Sequence, residues 1–520
     1  MKLKKLLSLG LAMSMFIVAC PVSANALDKI DKIQGADKYE TAGIIADKQS
    51  YTTAILINAD STMADGLSAS GLAGATNAPI LLTKKNNIPN ATLKRVEKAK
   101  KVYIIGGESS IDKATETFLK DKGIETRRLQ GSDRIKTSYI VAKEINSINK
   151  VNKVILTNAF KGESDAMSIA SVAVRDKVAI VLTDGKSVPF NTTGVESYVI
   201  GGTSSMSDSL VNDTNSTRLG GVDRYDTNKK IVNKFYNGAK EFYIASGTDL
   251  VYALVGSTIA KNIPIVLVDY GSSKEALKDA TKITAIGNLS EEIKQQCLNS
   301  NSKVLRDILG VWNDESYNGY STFGITDNTI GGNRYDILSI NEKEKSIKIN
   351  VHYQDGDWKH VIKSENSNEI WFYTYNEVND NFSGGVPYQR LYSFDSSDTI
   401  YKNSEYGFSL RIPKNWDGKY KINVSKGSNY NGSEANIDFD YIENGKVYDN
   451  LFTIYVFKKG YVHDSEDELV YMGTTKNKTL YFEIDGDPSV EALENEKVLN
   501  RLIQMNNEAM RVCNSLNLLY

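Results

Sequence analysis

IQGADKYETAGIIADK (Ile33–Lys48) is followed further along the chain by LQGSDRIKTSYIVAKE (Leu129–Glu144) and LGGVDRYDTNKKIVNK (Leu219–Lys234). All three share the frame G-x-D-[KR]-[YI]-x-T and then run on with helical character. They begin 96 and then 90 residues apart. One turn and helix opening, written three times at nearly constant spacing, predicts a tandem repeat whose copies bury apolar surface against one another.

Within the first copy strands and helices alternate. Gly35 and Asp37 make a turn, and a helix over Tyr39–Lys48 carries Ile44 and Ile45 on its apolar side. Ala54-Ile55-Leu56-Ile57 is apolar throughout, the pattern of a short strand buried on both faces. Asp65 opens a helix of Gly, Ala and Ser whose small side chains predict close approach to a sheet. Pro79-Ile80-Leu81-Leu82 reads as a second strand, with proline at its first position, where no ladder donor is lost. A charged helix over Ala91–Lys100 leads to strand Val102–Ile105, and Gly106-Gly107 turns the chain into a last helix.

The later copies keep this order. Asp165 and Asp249 are matched to Asp65, and Gly201-Gly202 and Gly287-Asn288 to the glycine pair. From turn glycine to strand-end glycine the copies measure 71, 70 and 66 residues. Only eleven residues separate Thr183 from Val195, so the middle helix of the second copy is expected to shrink to a loop. Alternation of this kind predicts parallel sheets covered on both faces.

These landmarks, in fixed order and three times over, resemble the clostridial-type cell-wall-binding repeat family, cell wall binding repeat 2, across residues 30–300. The resemblance implies an α/β fold of three tandem Rossmann- or toprim-like units in a pseudo-threefold arrangement. It also implies a noncovalent anchor whose partner is an anionic secondary cell-wall polysaccharide, with surface-layer proteins as further neighbours and no cofactor. In that family the strand matched here by Ile80-Leu81-Leu82, Ile180-Val181-Leu182 and Ile265-Val266-Leu267 is associated with anchoring. By their own character these triplets read chiefly as core strands.

Lys38, Arg134 and Arg224 place a cation at a helix start, the unfavourable end of the dipole, which costs some tenths of a kcal/mol. Two readings of what offsets that cost stand side by side. Either the cations face an anionic glycan, aided by free N–H groups at the same helix start, or each pairs with the neighbouring Asp37, Asp133 or Asp223 or with a carboxylate of the next unit. Asp65, Asp165 and Asp249 read as helix-start carboxylates. The glycine pairs lack a dinucleotide or Walker pattern and read as tight turns.

A chain of 520 residues predicts several domains. Its formal net charge of −2 argues against nucleic-acid binding by bulk electrostatics and against a polybasic membrane-surface protein. Lys2, Lys4 and Lys5, the apolar run Leu6–Ala19 and the small residues Ser23–Ala26 predict a signal peptide over 1–26. Ile17-Val18-Ala19-Cys20 also fits a lipoprotein box, which would keep Cys20 acylated. No later run is apolar enough for a membrane span. Cys297 and Cys513 read as isolated thiols.

The expected division is repeat 1 over 27–123, repeat 2 over 124–214, repeat 3 over 215–300, a β-rich domain over 301–398 and an α+β domain over 399–520. Gly310-Val311-Trp312 resembles the start of lipocalin-like small barrels, and Tyr406–Pro413 the opening hairpin of PsbP-like α+β domains. Ala492–Leu519 predicts a closing helix with Leu493, Val498, Leu499, Leu502, Ile503 and Met510 on its apolar side. His352 and His360 flank a turn at Gly356 and lack the further ligands of a zinc site. No hydrolase motif occurs, so the second half reads as a displayed, non-catalytic module. The competing reading is a wall-modifying hydrolase with an unrecognised catalytic half.

Overall fold

Each repeat contributes three long-range parallel strands, and a fourth strand is lent by the repeat that follows. In the computed structural model, which describes Leu27 and residues 29–519 except 61–62, 222, 271, 315–321, 377–380, 396, 428–431, 464–468 and 485–486, this exchange runs round all three units. The signal segment and Cys20 lie outside the described residues.

The strands of the first half are β1 (Asp31–Ile33), β2 (Thr53–Asn58), β3 (Ile80–Thr83), β4 (Lys101–Ile105), β5 (Glu125–Leu129), β6 (Lys153–Asn158), β7 (Ala179–Thr183), β8 (Glu196–Ile200), β9 (Thr217–Leu219), β10 (Glu241–Ser246), β11 (Ile265–Val268) and β12 (Lys282–Ile286). They form sheets ordered β3-β2-β4-β5, β7-β6-β8-β9 and β11-β10-β12-β1, parallel throughout. β5 precedes the motif helix of the second repeat yet completes the sheet of the first. β1, the first strand among the described residues, completes the sheet of the third through the pairs Asp31↔Thr284, Lys32↔Ala285 and Ile33↔Ile286. The ring is thereby closed.

The sequence reading has three strands per unit and misses the exchanged one. Glu125-Thr-Arg-Arg-Leu explains why: it is an edge strand with exposed and half-exposed residues, so it carries no apolar run. By contrast β2 is buried on both faces. Ile55 and Ile57 enter a core that joins all three units, while Ala54 and Leu56 enter a second cluster beneath the first unit's outer helices.

The small-residue helices, Ala69–Thr76, Glu163–Asp176 and Val251–Gly256, meet one another at the centre of the ring instead of merely lying on their sheets. A β-carbon on Gly71 would collide with the Val178 carbonyl oxygen, and one on Gly74 with that of Val174. Ser70 Oγ lies 3.3 Å from Ser257 Oγ. Backbones approach this closely only where side chains are absent or small. The loop expected between Thr183 and Val195 holds no helix, where the first unit has Asn90–Val96 and the third a single 3-10 turn, Glu275–Leu277.

The second half is β-rich. β13 (Gly310–Asn313), β14 (Thr322–Ile325), β15 (Thr329–Ile330), β16 (Asn333–Asn341), β17 (Ser346–Tyr353), β18 (Gly356–Asn366), β19 (Glu369–Asn376) and β20 (Asn381–Tyr392) form a closed antiparallel barrel, β20 pairing back onto β13. The helix Lys303–Ile308 sends Val304, Leu305 and Ile308 into the barrel core. Trp312 is fully buried, its Nε1 donates to Ile308 O at 2.8 Å, and the Arg390 guanidinium lies 4.2 Å from its ring centre.

Beyond the barrel, β21 (Thr399–Asn403), β22 (Phe408–Ile412) and β28 (Asn517–Leu518) make a small sheet. β23 (Tyr420–Lys426), β24 (Ala435–Glu443), β25 (Lys446–Lys458), β26 (Val470–Thr474) and β27 (Lys478–Glu483) make a five-stranded antiparallel one. The closing helix is Glu496–Cys513, shorter than expected, after a separate turn at Val490–Leu493. Val498 and Leu502 are buried in it, whereas Leu493 and Ile503 face outward. The barrel and this domain are knitted together where Asn328 Nδ2 donates to Leu518 O at 2.8 Å and Leu518 N donates back to Asn328 Oδ1 at 3.1 Å.

Candidate functional site at the three helix starts

The repeated motif is a local machine for starting a helix and tying it to two places. Gly35 N donates to Thr41 Oγ1 at 2.9 Å, Gly131 N to Thr137 Oγ1 at 3.1 Å, and Gly221 N to Thr227 Oγ1 at 2.9 Å. The aspartates are N-caps. Asp37 accepts from Glu40 N and Asp133 from Lys136 N, each at 2.8 Å, and Asp223 from Tyr225 N and Asp226 N at 2.9 Å. The backbone N–H of Lys136 holds the Asp133 carboxyl below its ordinary range.

The cations do not pair with their neighbouring aspartates. Lys38 Nζ donates to Ala59 O, Arg134 Nη1 to Ala159 O at 2.9 Å, and Arg224 Nη1 to Gly247 O, in each case the carbonyl just past the first strand of the same unit. More distant carboxylates assist: Asp60 at 3.8 Å from Lys38 and Glu163 at 3.9 Å from Arg134. Charge-assisted bonds of this kind, to an acceptor outside the helix, offset the dipole cost. The side chains of Lys38 and Arg134 stay 29% and 28% exposed, leaving donors at the surface.

The surroundings differ from unit to unit. Tyr39 donates to Asp60 Oδ1 at 2.5 Å and Tyr225 to Asp269 Oδ2 at 3.2 Å. In the second unit Phe160 lies 5.5 Å under Arg134, and Tyr139 meets Phe190 edge-on at 5.9 Å.

Two of the acids that the sequence reads as helix-start carboxylates complete the site. Asp65 of the first unit is engaged by the Thr137 hydroxyl of the second, and Asp165 of the second by the Thr227 hydroxyl of the third. Burial raises both carboxyls against the pull of Arg134 and Arg224, Asp165 to about 6. Each presses on a glycine: β-carbons at Gly106 and Gly201 would lie 2.7 Å from Asp65 Oδ2 and 2.9 Å from Asp165 Oδ2. Those glycines have φ of +112° and +126°, so the turn needs glycine for its backbone as well. Each junction between consecutive units thus gathers an acid, a glycine turn, a threonine and a cation.

The third junction is built differently, and Asp249 is not the counterpart of Asp65. Asp249 is exposed, and Tyr252 fills the space against Gly287. The sequence holds the signal for this. Seven positions separate Asn58 from Asp65 and Asn158 from Asp165, but only three separate Ser246 from Asp249.

The triplets Ile80-Leu81-Leu82, Ile180-Val181-Leu182 and Ile265-Val266-Leu267 are buried edge strands, none above 3% exposed. Their outer edges are covered by the motif helices. Ser138 Oγ accepts from Leu182 N at 2.9 Å and Asn228 Oδ1 from Leu267 N at 3.0 Å. They hold the helix that carries the cation, with their side chains turned into the core.

The third helix start is also covered by the second half of the chain. Lys402 Nζ of β21 lies 3.2 Å from Asp223 Oδ2 and 5.6 Å from the centre of the Tyr225 ring. A cavity of about 120 Å³ remains there, lined by Asp269, Asp327 and Arg411 among others.

In the second half, His352 sits on the outside of the barrel between Asp336 and Asp357, each 2.8 Å from a ring nitrogen, while His360 is buried inside it. Burial pulls the His352 pKa down, but the two carboxylates outweigh it and raise it. Cys297 and Cys513 are buried and unbridged, and burial pushes the Cys297 thiol up to about 12. No helix among the described residues is long and apolar enough to cross a membrane.

The family model described as Cell wall binding domain 2 matches residues 32–116, 128–211 and 218–294. The N-acetylmuramoyl-L-alanine amidase LytC of Bacillus subtilis (strain 168) is 31% identical over 250 residues, 46% of this chain and 49% of that one. The amidase enhancer of the same organism is 31% identical over 262 residues, 48% of this chain and 36% of its own length. The chain therefore spans half or less of these relatives. Among solved structures, Cwp6 from Clostridium difficile is 28% identical with a TM-score of 0.49, covering 53% of this chain and 48% of that one. Cwp8 from the same organism is 31% identical with a TM-score of 0.48, covering 53% and 51%. With three matched copies in tandem, the first half of this cell-wall-associated chain belongs to the Cell wall binding domain 2 family.

Proposed function

We propose that the protein is held noncovalently on an anionic wall polysaccharide by its three-unit ring and displays the barrel and the terminal domain as a non-catalytic module. The supporting observation is the recurrence of one arrangement, a capped helix start whose cation reaches the carbonyl past a strand end, at three places on a single closed ring. A repeating polymer that meets one such site meets the next at high effective concentration, so weak contacts gain roughly 10²–10⁴ in combination. Lys38, Arg134 and Arg224 supply the charge, Asp37, Asp133 and Asp223 fix the helix starts, and the buried triplets hold the helices in place.

Sedimentation with purified walls tests this. Arg134→Ala alone should weaken retention only a few-fold, and the combined Lys38→Ala, Arg134→Ala, Arg224→Ala chain by about 100-fold or more. Equal retention of the triple variant, still folded, defeats the reading.

A second reading is a wall-modifying activity in the C-terminal half; the amidase and the amidase enhancer resemble this chain over less than half of its length, so that half must be tested by itself. The buried thiols and the doubly engaged His352 argue for display instead. Peptidoglycan clearing by the purified chain, abolished by His352→Ala, would reverse that preference.

A further inference from the structure

We propose that the outer face of the barrel along β19 is a second carbohydrate-binding surface, one that takes an extended anionic sugar polymer across Trp371, Tyr373 and Tyr375. Strand alternation puts these three on one face of β19, while Ile370 and Phe372 point into the barrel core. Trp371 and Tyr373 are 24° from parallel with ring centres 6.3 Å apart. Both lean over Gly385 of β20, where a β-carbon would come 2.5 Å from Tyr373 and 3.1 Å from Trp371. The missing side chain lets the two rings lie down on the sheet. Trp371 Nε1 donates to Glu369 Oε1 at 2.9 Å, which fixes the indole.

The face is cationic as well as aromatic. Lys363 Nζ lies 5.4 Å from the Tyr373 ring centre and Lys348 Nζ 3.6 Å from that of Tyr375. Ring faces carry negative charge that attracts polarised C–H groups of a pyranose, and the lysines add attraction for carboxylate or phosphate on the sugar. Successive aromatics on one strand stand roughly 6.8 Å apart, so the track suits a chain molecule more than a single small sugar. Stacked rings with interleaved lysines also suit single-stranded nucleic acid. The wall-binding repeats on the same chain favour the glycan. This surface is independent of the helix-start sites of the ring.

The chain has four tryptophans, so labelling the full chain with 5-fluorotryptophan gives a local probe, Trp371 being identified by Trp371→Phe. Polygalacturonate supplies the carboxylate arm, poly(glycerol phosphate) the phosphate arm and dextran the neutral arm. Titration with one of the two acidic polymers should shift the Trp371 resonance and leave the buried Trp312 and Trp416 unmoved. Lys348→Gln with Lys363→Gln should raise the midpoint at least fivefold, as should Gly385→Val, which lifts the rings without changing charge. An unmoved Trp371 resonance with both acidic polymers, midpoints within twofold in both variants, or saturation by oligo(dT) at a tenfold lower concentration would each overturn the proposal. Wall sedimentation by the same samples reports on the ring separately, so the two failures are distinguishable.

Discussion

The ammonium group of Lys402 lies 3.2 Å from the carboxylate of Asp223, 179 residues earlier, and ties the C-terminal half to the helix start of the third unit. Both side chains are about one-fifth exposed, so the pair is partly shielded from solvent. A double-mutant cycle over Lys402→Ala and Asp223→Ala should return a coupling of about 1 kcal/mol, measured by urea unfolding. Lys402→Glu should also raise protease access to the cavity lined by Asp269 and Arg411. A coupling of zero would mean that the contact merely follows from docking elsewhere.

Stability should depend on pH through Asp165. Its folded pKa, about 6, lies above the ordinary carboxyl value, chiefly because of burial, so the folded state holds the proton more tightly than the unfolded chain does. Its contribution is therefore fully present below pH 4, declines as pH rises from 4 to 6, and is flat above. Asp165→Asn, which keeps a partner for Thr227, should match wild type at pH 4 and exceed it by roughly 2–3 kcal/mol at pH 7. Urea midpoints across pH 4–7 for both chains check the sign.

Closing the ring should depend on the first strand. Gly287 N donates to Ile33 O at 3.0 Å, so removal of residues through Ile33 exposes the edge of β12. Amide exchange at Gly287 should accelerate tenfold or more, on the order expected for a frayed edge, while the amides of β2 keep their protection. Hydrogen exchange read by mass spectrometry resolves the two segments.

Arg390 should act as the clasp of the barrel. It donates to Leu309 O at 2.6 Å and to Asp307 O at 2.5 Å while its guanidinium lies over Trp312. Arg390→Lys keeps the charge but loses the planar fork, and should cost about 1–3 kcal/mol in the unfolding of the second half. Near-ultraviolet circular dichroism of the buried tryptophans follows that transition.

Much of this fold is legible in the chain. Ala54–Ile57 and Ile80–Leu82 announce strands because they are buried on both faces and so are apolar without interruption. The motif helices announce themselves through Asp37, Asp133 and Asp223, since capping depends on a few adjacent residues. Glu125–Leu129 carries no such signal, because an edge strand half in water has no apolar run. The roles of Asp65, Asp165 and Tyr252 were hidden for another reason: each acts on a residue of a different unit or on a glycine far along the chain.

The sequence alone determined that there are three like units, where their helices begin, and that a β-rich half follows, because repetition, capping and hydrophobic period are properties of neighbouring residues. Only the tertiary structure decided that β1 closes the ring on β12, that the cations reach backbone carbonyls, and that Lys402 covers the third helix start. Those contacts join residues tens to hundreds of positions apart, and such partners are selected by shape and by unpaired hydrogen-bonding groups that exist only once the sheets have formed.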